Sequence, residues 1–213
     1  MKDNVFFVSG IDTNVGKSYA TGYLAKTWNE QGVRTITQKF IQTGNVGMSE
    51  DIELHRKIMG TGLLPEDENG LTMPEIFTYP CSPHLATEID HRPIDFDKIE
   101  KATRQLSETY DAVLLEGAGG LMVPLTRDLL TIDYVAQKNY PLIFVTSGKL
   151  GSINHTLLSL EAITRRGIRL HTVAYNLFPE EDDDIIRRDT EAYIRDLLAK
   201  VYPETHFVVI PQL

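Results

Sequence analysis

The sequence predicts an α/β fold: a mostly parallel sheet with helices on both faces. Three observations carry that prediction. Short β-branched or aromatic runs alternate with longer stretches of helical spacing along the 213 residues. Several of these runs are apolar without alternation, the pattern of strands whose two faces are both covered. A glycine-rich turn from Gly10 to Gly16 joins the first run directly to the first helical stretch. Repetition of strand, helix and strand implies parallel pairing with right-handed crossovers. The length fits one domain over 1–213, with a full-sized core.

Taken in order, the first strand covers 5–9, where Val5-Phe6-Phe7-Val8 is continuously apolar, and a helix over 18–31 follows the glycine turn. The β-branched residues Thr35, Ile36 and Thr37 mark a strand over 34–38, and a polar loop then leads into a helix over 51–59. The stretch 60–93 is richest in Pro, Gly and polar residues, so it reads as a surface excursion too long for an idle connection. A helix over 95–110 precedes the strand 112–115, Ala112-Val113-Leu114-Leu115. A helix over 131–138 leads to the strand 142–146, and a helix over 153–166 to the strand 172–176. The acidic run Glu180-Glu181-Asp182-Asp183-Asp184 has the look of a metal site. It opens the last helix, 182–201, where acidic residues favour the positive helix end. The strand 207–210, Phe207-Val208-Val209-Ile210, closes the series.

Composition narrows the function. A net charge of −9 argues against non-specific binding to nucleic acid or a membrane surface, both of which need a basic patch. Cys81 is the single cysteine, so neither an intrachain disulfide nor a Cys-rich metal cluster is possible. There is no signal-type segment and no apolar run near the ~20 residues of a membrane span, so a soluble cytoplasmic protein is expected. Neither an internal repeat nor a low-complexity tract is present.

Residues Gly10-Ile11-Asp12-Thr13-Asn14-Val15-Gly16-Lys17-Ser18 are the most informative. A tight turn between strand and helix aims several backbone N–H groups at one spot, where the helix dipole adds positive potential. Such a loop suits a polyphosphate, with Lys17 reaching the β- and γ-phosphates and the Ser18 hydroxyl holding Mg²⁺. Five residues separate Gly10 from Gly16, one more than the usual phosphate-loop spacing.

Ligands of such sheets lie beyond the carboxyl ends of the strands. Lys39 ends the second strand, where a cation offsets the charge of a transferring phosphoryl group; a surface lysine is the alternative. Thr43-Gly44 adds a hydroxyl and a turn. Glu116 closes a buried strand before Gly117-Ala118-Gly119-Gly120 and suits Mg²⁺, as does Asp51, which otherwise reads as a helix cap. The segment Lys149-Leu150-Gly151-Ser152-Ile153-Asn154-His155 opens a helix and forms either an anion site or a cap made by Ser152. His155 reads as structural, and the Asn176 amide stands at a strand end where it could read a nucleobase edge.

Together these segments, with Ser82-Pro83-His84, resemble dethiobiotin synthetase, a family of the P-loop NTPase superfamily; the match runs from residue 5 to about 176. Glu116-Gly117-Ala118-Gly119-Gly120 combined with the segment at 149–155 is its most specific part. The resemblance implies an ATP- and Mg²⁺-dependent cyclo-ligase of biotin biosynthesis. It would carboxylate 7,8-diaminononanoate with CO₂ or bicarbonate and close the ureido ring through a carbamic-phosphoric anhydride. By the resemblance Lys39, Lys17 and Thr13 are catalytic, and Ser18, Asp51 and Glu116 ligate the metal. Asn14, Val15, Gly16, Lys17, Ser18, Tyr19, Asp51, Glu116, Gly117, Ala118, Gly119 and Asn176 contact ATP. Thr43, Gly44, Ser82, Pro83, Leu150, Gly151, Ser152 and Asn154 contact the substrate, those at 150–154 from the second subunit of a homodimer.

Three departures stand out. Asn14 replaces a frequent Glu, Phe40 replaces a usual Pro, and Leu177 with an end at Leu213 leaves less chain around the base, so weak base discrimination is expected. A nucleotide-switch ATPase of the partition or nitrogenase-iron-protein type is the alternative. It would carry a second lysine early in the loop, where this chain has Gly10-Ile11-Asp12, and often a basic amphipathic terminal helix. Cobyrinic acid amidases share the Glu-Gly-Ala-Gly segment but need a further glutaminase domain with a nucleophilic Cys.

Overall fold

The apolar runs pair because each presents one row of side chains to either side of a sheet. A computed structural model describes residues 3–177 and 183–212. The order is strand β1 (Val5–Gly10), helix α1 (Lys17–Glu30), β2 (Thr35–Lys39), β3 (Gln42–Thr43), α2 (Glu50–Met59), α3 (Pro65–Glu68), β4 (Ile76–Phe77) and α4 (Pro83–Ile89). There follow α5 (Phe96–Thr109), β5 (Ala112–Glu116), α6 (Thr131–Lys138), β6 (Leu142–Ser147), α7 (Ser152–Arg165), β7 (Leu170–Asn176), α8 (Asp184–Val201) and β8 (His206–Ile210).

Among the described residues, six strands form one sheet in the order β2-β5-β1-β6-β7-β8, every pair parallel. The two-residue alternation of strands explains the unbroken apolar runs. Val5, Phe7, Val113, Leu115, Leu142 and Phe144 join the core on one face, and Val8, Leu114, Ile143 and Val145 the core on the other. The chain leaves β1 toward β2 and β5 on one side, then continues to β6 on the other. That reversal opens a crevice beyond the carboxyl end of β1, where the phosphate loop lies.

The expected elements are present with ends shifted by one or two residues. The excursion 60–93 is more ordered than its composition suggested. It forms two short helices and β4, which pairs with β3, and it buries Asp67, Thr72, Glu75 and Phe77. Much of the acidic run at 180–184 lies outside the described residues. Asp183 caps α8, accepting from the amides of Ile185 and Ile186, in keeping with a helix opening. Among the described residues no helix is long and apolar enough to cross a membrane.

Candidate functional site

The loop after β1 is shaped by two glycines. A Cβ on Gly10 would lie 2.7 Å from Val15 and 2.9 Å from the carbonyl oxygen of Val145, so only glycine fits. Gly16 precedes α1 with φ 82°, a left-handed conformation that costs other residues, and no side chain caps the helix. The first amides of α1 therefore point into the cleft without a side-chain acceptor. Lys17 Nζ donates to the carbonyls of Asp12 (2.8 Å) and Thr13 (3.0 Å), which holds its ammonium over the loop. Burial, and then repulsion from Lys39, lowers its pKa to about 8 despite nearby carboxylates.

The sheet register supplies the next pair. Lys39 and Glu116 are direct partners at the carboxyl ends of β2 and β5. Lys39 Nζ lies 2.8 Å from Glu116 Oε1 and also forms an ion pair with Asp51, which the first turn of α2 brings to the same place. Burial works against both charges. Attraction between them, with hydrogen bonding, prevails, so the Lys39 pKa is raised and the Glu116 carboxyl falls well below the usual range. Lys39 is only 4% exposed, so it is a buried ion-pair partner and not the solvent-facing strand-end lysine its position suggested.

Ser18 Oγ lies 2.6 Å from Asp51 Oδ1 and 2.9 Å from Glu116 Oε1. A hydroxyl has one proton and can donate to only one of these oxygens. Three converging oxygens that carry two negative charges and share one proton call for a cation, and the Lys39 ammonium partly answers that call. The donor set fits Mg²⁺, which takes one or two carboxylates and leaves remaining positions to phosphate and water. No cluster of three or more His, Cys, Asp or Glu side chains suited to a metal occurs among the described residues.

These groups line a cleft of about 780 Å³ that continues past Gln42 and Thr43 to Pro80, Cys81, Ser82 and Pro83. Thr13, Asn14, Gly16, Tyr19, Ala118 and Gly119 also border it. One cleft thus joins a phosphate loop, a buried lysine between two carboxylates, and a wall of small polar residues.

The family described as AAA domain matches residues 4–213. An ATP-dependent dethiobiotin synthetase of Pasteurella multocida is 52% identical over 206 residues, 97% of this chain and 96% of that protein. One from Chlorobaculum tepidum is 52% identical over 90% of this chain and 80% of its own length. The chain belongs to the ATP-dependent dethiobiotin synthetase family. Solved structures add the fold alone. The signal recognition particle receptor FtsY of Elizabethkingia anophelis, in complex with GDP, aligns with TM-score 0.56 at 15% identity, covering 99% of this chain and 58% of that one. The MinC:MinD complex of Aquifex aeolicus gives 0.55 at 12%, covering 99% and 82%.

Of the residues that dethiobiotin synthetase membership draws attention to, some do not border the cleft. Val15 is buried in the core and Asn176 is fully buried, its Nδ2 donating to the carbonyls of Val15 (2.9 Å) and Gly16 (3.3 Å). As placed, those donors hold the phosphate loop from behind. Gly117 and Gly44 are turn residues behind the lining, Gly44 with φ 85° and no room for a Cβ beside Pro80. Leu150, Gly151, Ser152 and Asn154 do not border the cleft of their own chain. Ser152 is not the cap of α7: Gly151 is, without a side-chain bond, and Ser152 Oγ pairs with Ser147 Oγ at 3.1 Å.

Phe40, the departure from proline, packs against Phe7 and Tyr134 with centroids 5.5 and 4.7 Å away. Its amide donates to the Glu116 carbonyl at 2.8 Å, a bond proline could not make. The residue missed from sequence is His55, whose ring lies 2.8 Å from Glu116 Oε2. Its signal was the four-residue spacing from Asp51 on one helix face.

Proposed function

We propose that this protein joins CO₂, supplied as such or as bicarbonate, to 7,8-diaminononanoate at the expense of ATP and closes the ureido ring of dethiobiotin. The observation that carries the reading is the Lys39 ammonium between Asp51 and Glu116, beside Lys17 and Ser18, in a cleft that reaches Thr43 and Ser82. Family membership supplies the substrates.

One substrate amine adds to CO₂, loses a proton and becomes a carbamate. A carbamate oxygen attacks the γ-phosphorus and ADP leaves, giving the carbamic-phosphoric anhydride. The second amine attacks the carbonyl carbon, phosphate departs and the ring closes. Carbamate and triphosphate repel each other, so cationic groups fixed before reaction lower the barrier most. Lys39 would hold the carbamate and the transferring phosphoryl group, and Lys17 the β- and γ-phosphates. Thr13 would contact the γ-phosphate and Thr43 the reacting end of the diamine. The α1 amides and the Asn14–Tyr19 segment would cradle the phosphates. Ser18, Asp51 and Glu116 would hold Mg²⁺, which when bound supplies charge neutralisation to the phosphate oxygens.

The Leu150–Asn154 segment would bind the distal carboxylate of the substrate held by a second copy of the chain. An N-terminus of α7 without a side-chain cap, exposed Leu150 and Leu158, and a position of this segment outside its own chain's cleft lining support a homodimer. Sedimentation velocity checks it: a monomer at catalytic concentrations removes the shared site.

The direct test supplies diaminononanoate, bicarbonate, Mg²⁺ and ATP and looks for the cyclic urea by mass spectrometry. Lys39→Ala should form none, and product at the wild-type rate in that variant overturns the assignment. The same assay with GTP and CTP measures base discrimination.

A further inference from the structure

Glu116 is gripped from behind by a chain of buried side chains. His55, on α2, is fully buried, with Nε2 2.8 Å from Glu116 Oε2 and Nδ1 3.0 Å from Thr37 Oγ1. Thr37 Oγ1 in turn accepts a hydrogen bond from Arg56 Nη1 at 2.9 Å. Arg56 is fixed by Asp67, its Nε and Nη2 each donating to one carboxylate oxygen at 2.8 Å.

The direction of this chain follows from proton counting. Arginine only donates, so the Thr37 oxygen accepts there, and its second lone pair or its proton meets His55 Nδ1. The Glu116 carboxylate, ion-paired with Lys39, only accepts, so a ring hydrogen sits on His55 Nε2, aimed at Glu116 Oε2. The other carboxylate oxygen, Oε1, is the one that meets Ser18 and Lys39.

We infer that His55 is a positioning residue of the metal site: its Nε2–H, on a ring held in place by the Asp67–Arg56–Thr37 chain, ties down Glu116 Oε2 so that Oε1 alone faces Mg²⁺. The inference rests on the metal reading proposed above. Mg²⁺ demands near-octahedral geometry and is served by a carboxylate that gives one oxygen in a fixed direction. Without the hydrogen bond, Oε2 is buried without a donor and turns toward the cation or Lys39, spoiling that direction. The chain also explains an arginine and a histidine side by side inside the protein: one holds the other's ring in place through Thr37.

The test uses the full chain with ADP and Mn²⁺, whose free concentration is read by electron paramagnetic resonance. His55→Leu should weaken Mn²⁺ binding by about 10–100-fold, the usual loss for a partner behind a metal ligand, with ADP binding in EDTA unchanged. His55→Gln, which keeps an N–H donor, should recover most of that loss. In turnover the Mg²⁺ requirement should rise in His55→Leu while KM for the diamine holds. Wild-type Mn²⁺ affinity in His55→Leu, with affinity lost in Glu116→Ala, overturns the role of His55. Wild-type affinity in Glu116→Ala overturns the metal reading itself. A loss in His55→Leu that His55→Gln does not relieve reduces His55 to packing and also overturns the inference. If His55→Leu does not fold, Thr37→Val carries the test, since it removes the hydroxyl that holds the ring in place. Weakened Mn²⁺ binding there supports the chain, and unchanged binding refutes it.

Discussion

Replacing Lys39 with methionine removes the one cation between two carboxylates, and the cost is worked from the geometry. At 2.8 Å from Glu116 and an effective dielectric of about 20, the attraction is about 6 kcal/mol before solvation. Releasing the buried ammonium from its own desolvation offsets part of that, and stranding one member of a buried pair typically costs about 3–5 kcal/mol. At roughly 2–4 °C per kcal/mol for a chain of this size, melting should fall by about 6–20 °C in EDTA. Urea denaturation at pH 7, without metal or nucleotide, measures the loss. The double variant Lys39→Met, Glu116→Gln separates the pair from simple packing. The new amide donates where the ammonium did, so the double variant should lose less than the sum of the two single losses, with coupling of about 2 kcal/mol or more. Wild-type stability in Lys39→Met, or strictly additive losses, would refute a buried ion pair as the organising element of this site.

Asp67→Asn should cost about 3–5 kcal/mol at pH 7, because Arg56 is left buried without its carboxylate. Burial raises the Asp67 pKa, but hydrogen bonds from Arg56, Thr72 and the Leu64 amide outweigh it and leave the pKa lowered. Its contribution is therefore complete above the unfolded pKa and disappears as pH falls through the folded value. Acid titration followed by fluorescence of the single Trp28 should show wild type and variant converging at low pH, and parallel curves would contradict this. Lys17→Met should weaken ATP binding by about 10–100-fold in calorimetry, the worth of a charge-assisted hydrogen bond, and unchanged affinity would displace Lys17 from the phosphates. Gly16→Ala should destabilise the chain by about 1–2 kcal/mol through its φ of 82°, and a neutral effect in thermal melting would mean the loop tolerates another geometry.

Much of this protein was legible without its structure because the informative signals are local. Strands and helices followed from periodicity. The phosphate loop followed from a strand, a glycine turn and Gly16-Lys17-Ser18 read in succession. Lys39 and Glu116 were singled out as strand ends. Their being 77 residues apart yet bonded to each other depends on β5 inserting between β1 and β2. The burial of Lys39 had no local sign, nor did the turn of Asn176 toward the phosphate loop. Each depends on what another part of the chain leaves unpaired.

The amino-acid order by itself therefore determined which segments are strands or helices and where a polyphosphate loop forms, since side-chain spacing and backbone freedom act over a few residues. The tertiary structure alone decided which charges face one another. A buried polar group takes whatever partner packing brings within about 3 Å, and packing joined Glu116 of β5 to His55 of α2 and to Lys39 of β2, which also pairs with Asp51 of α2.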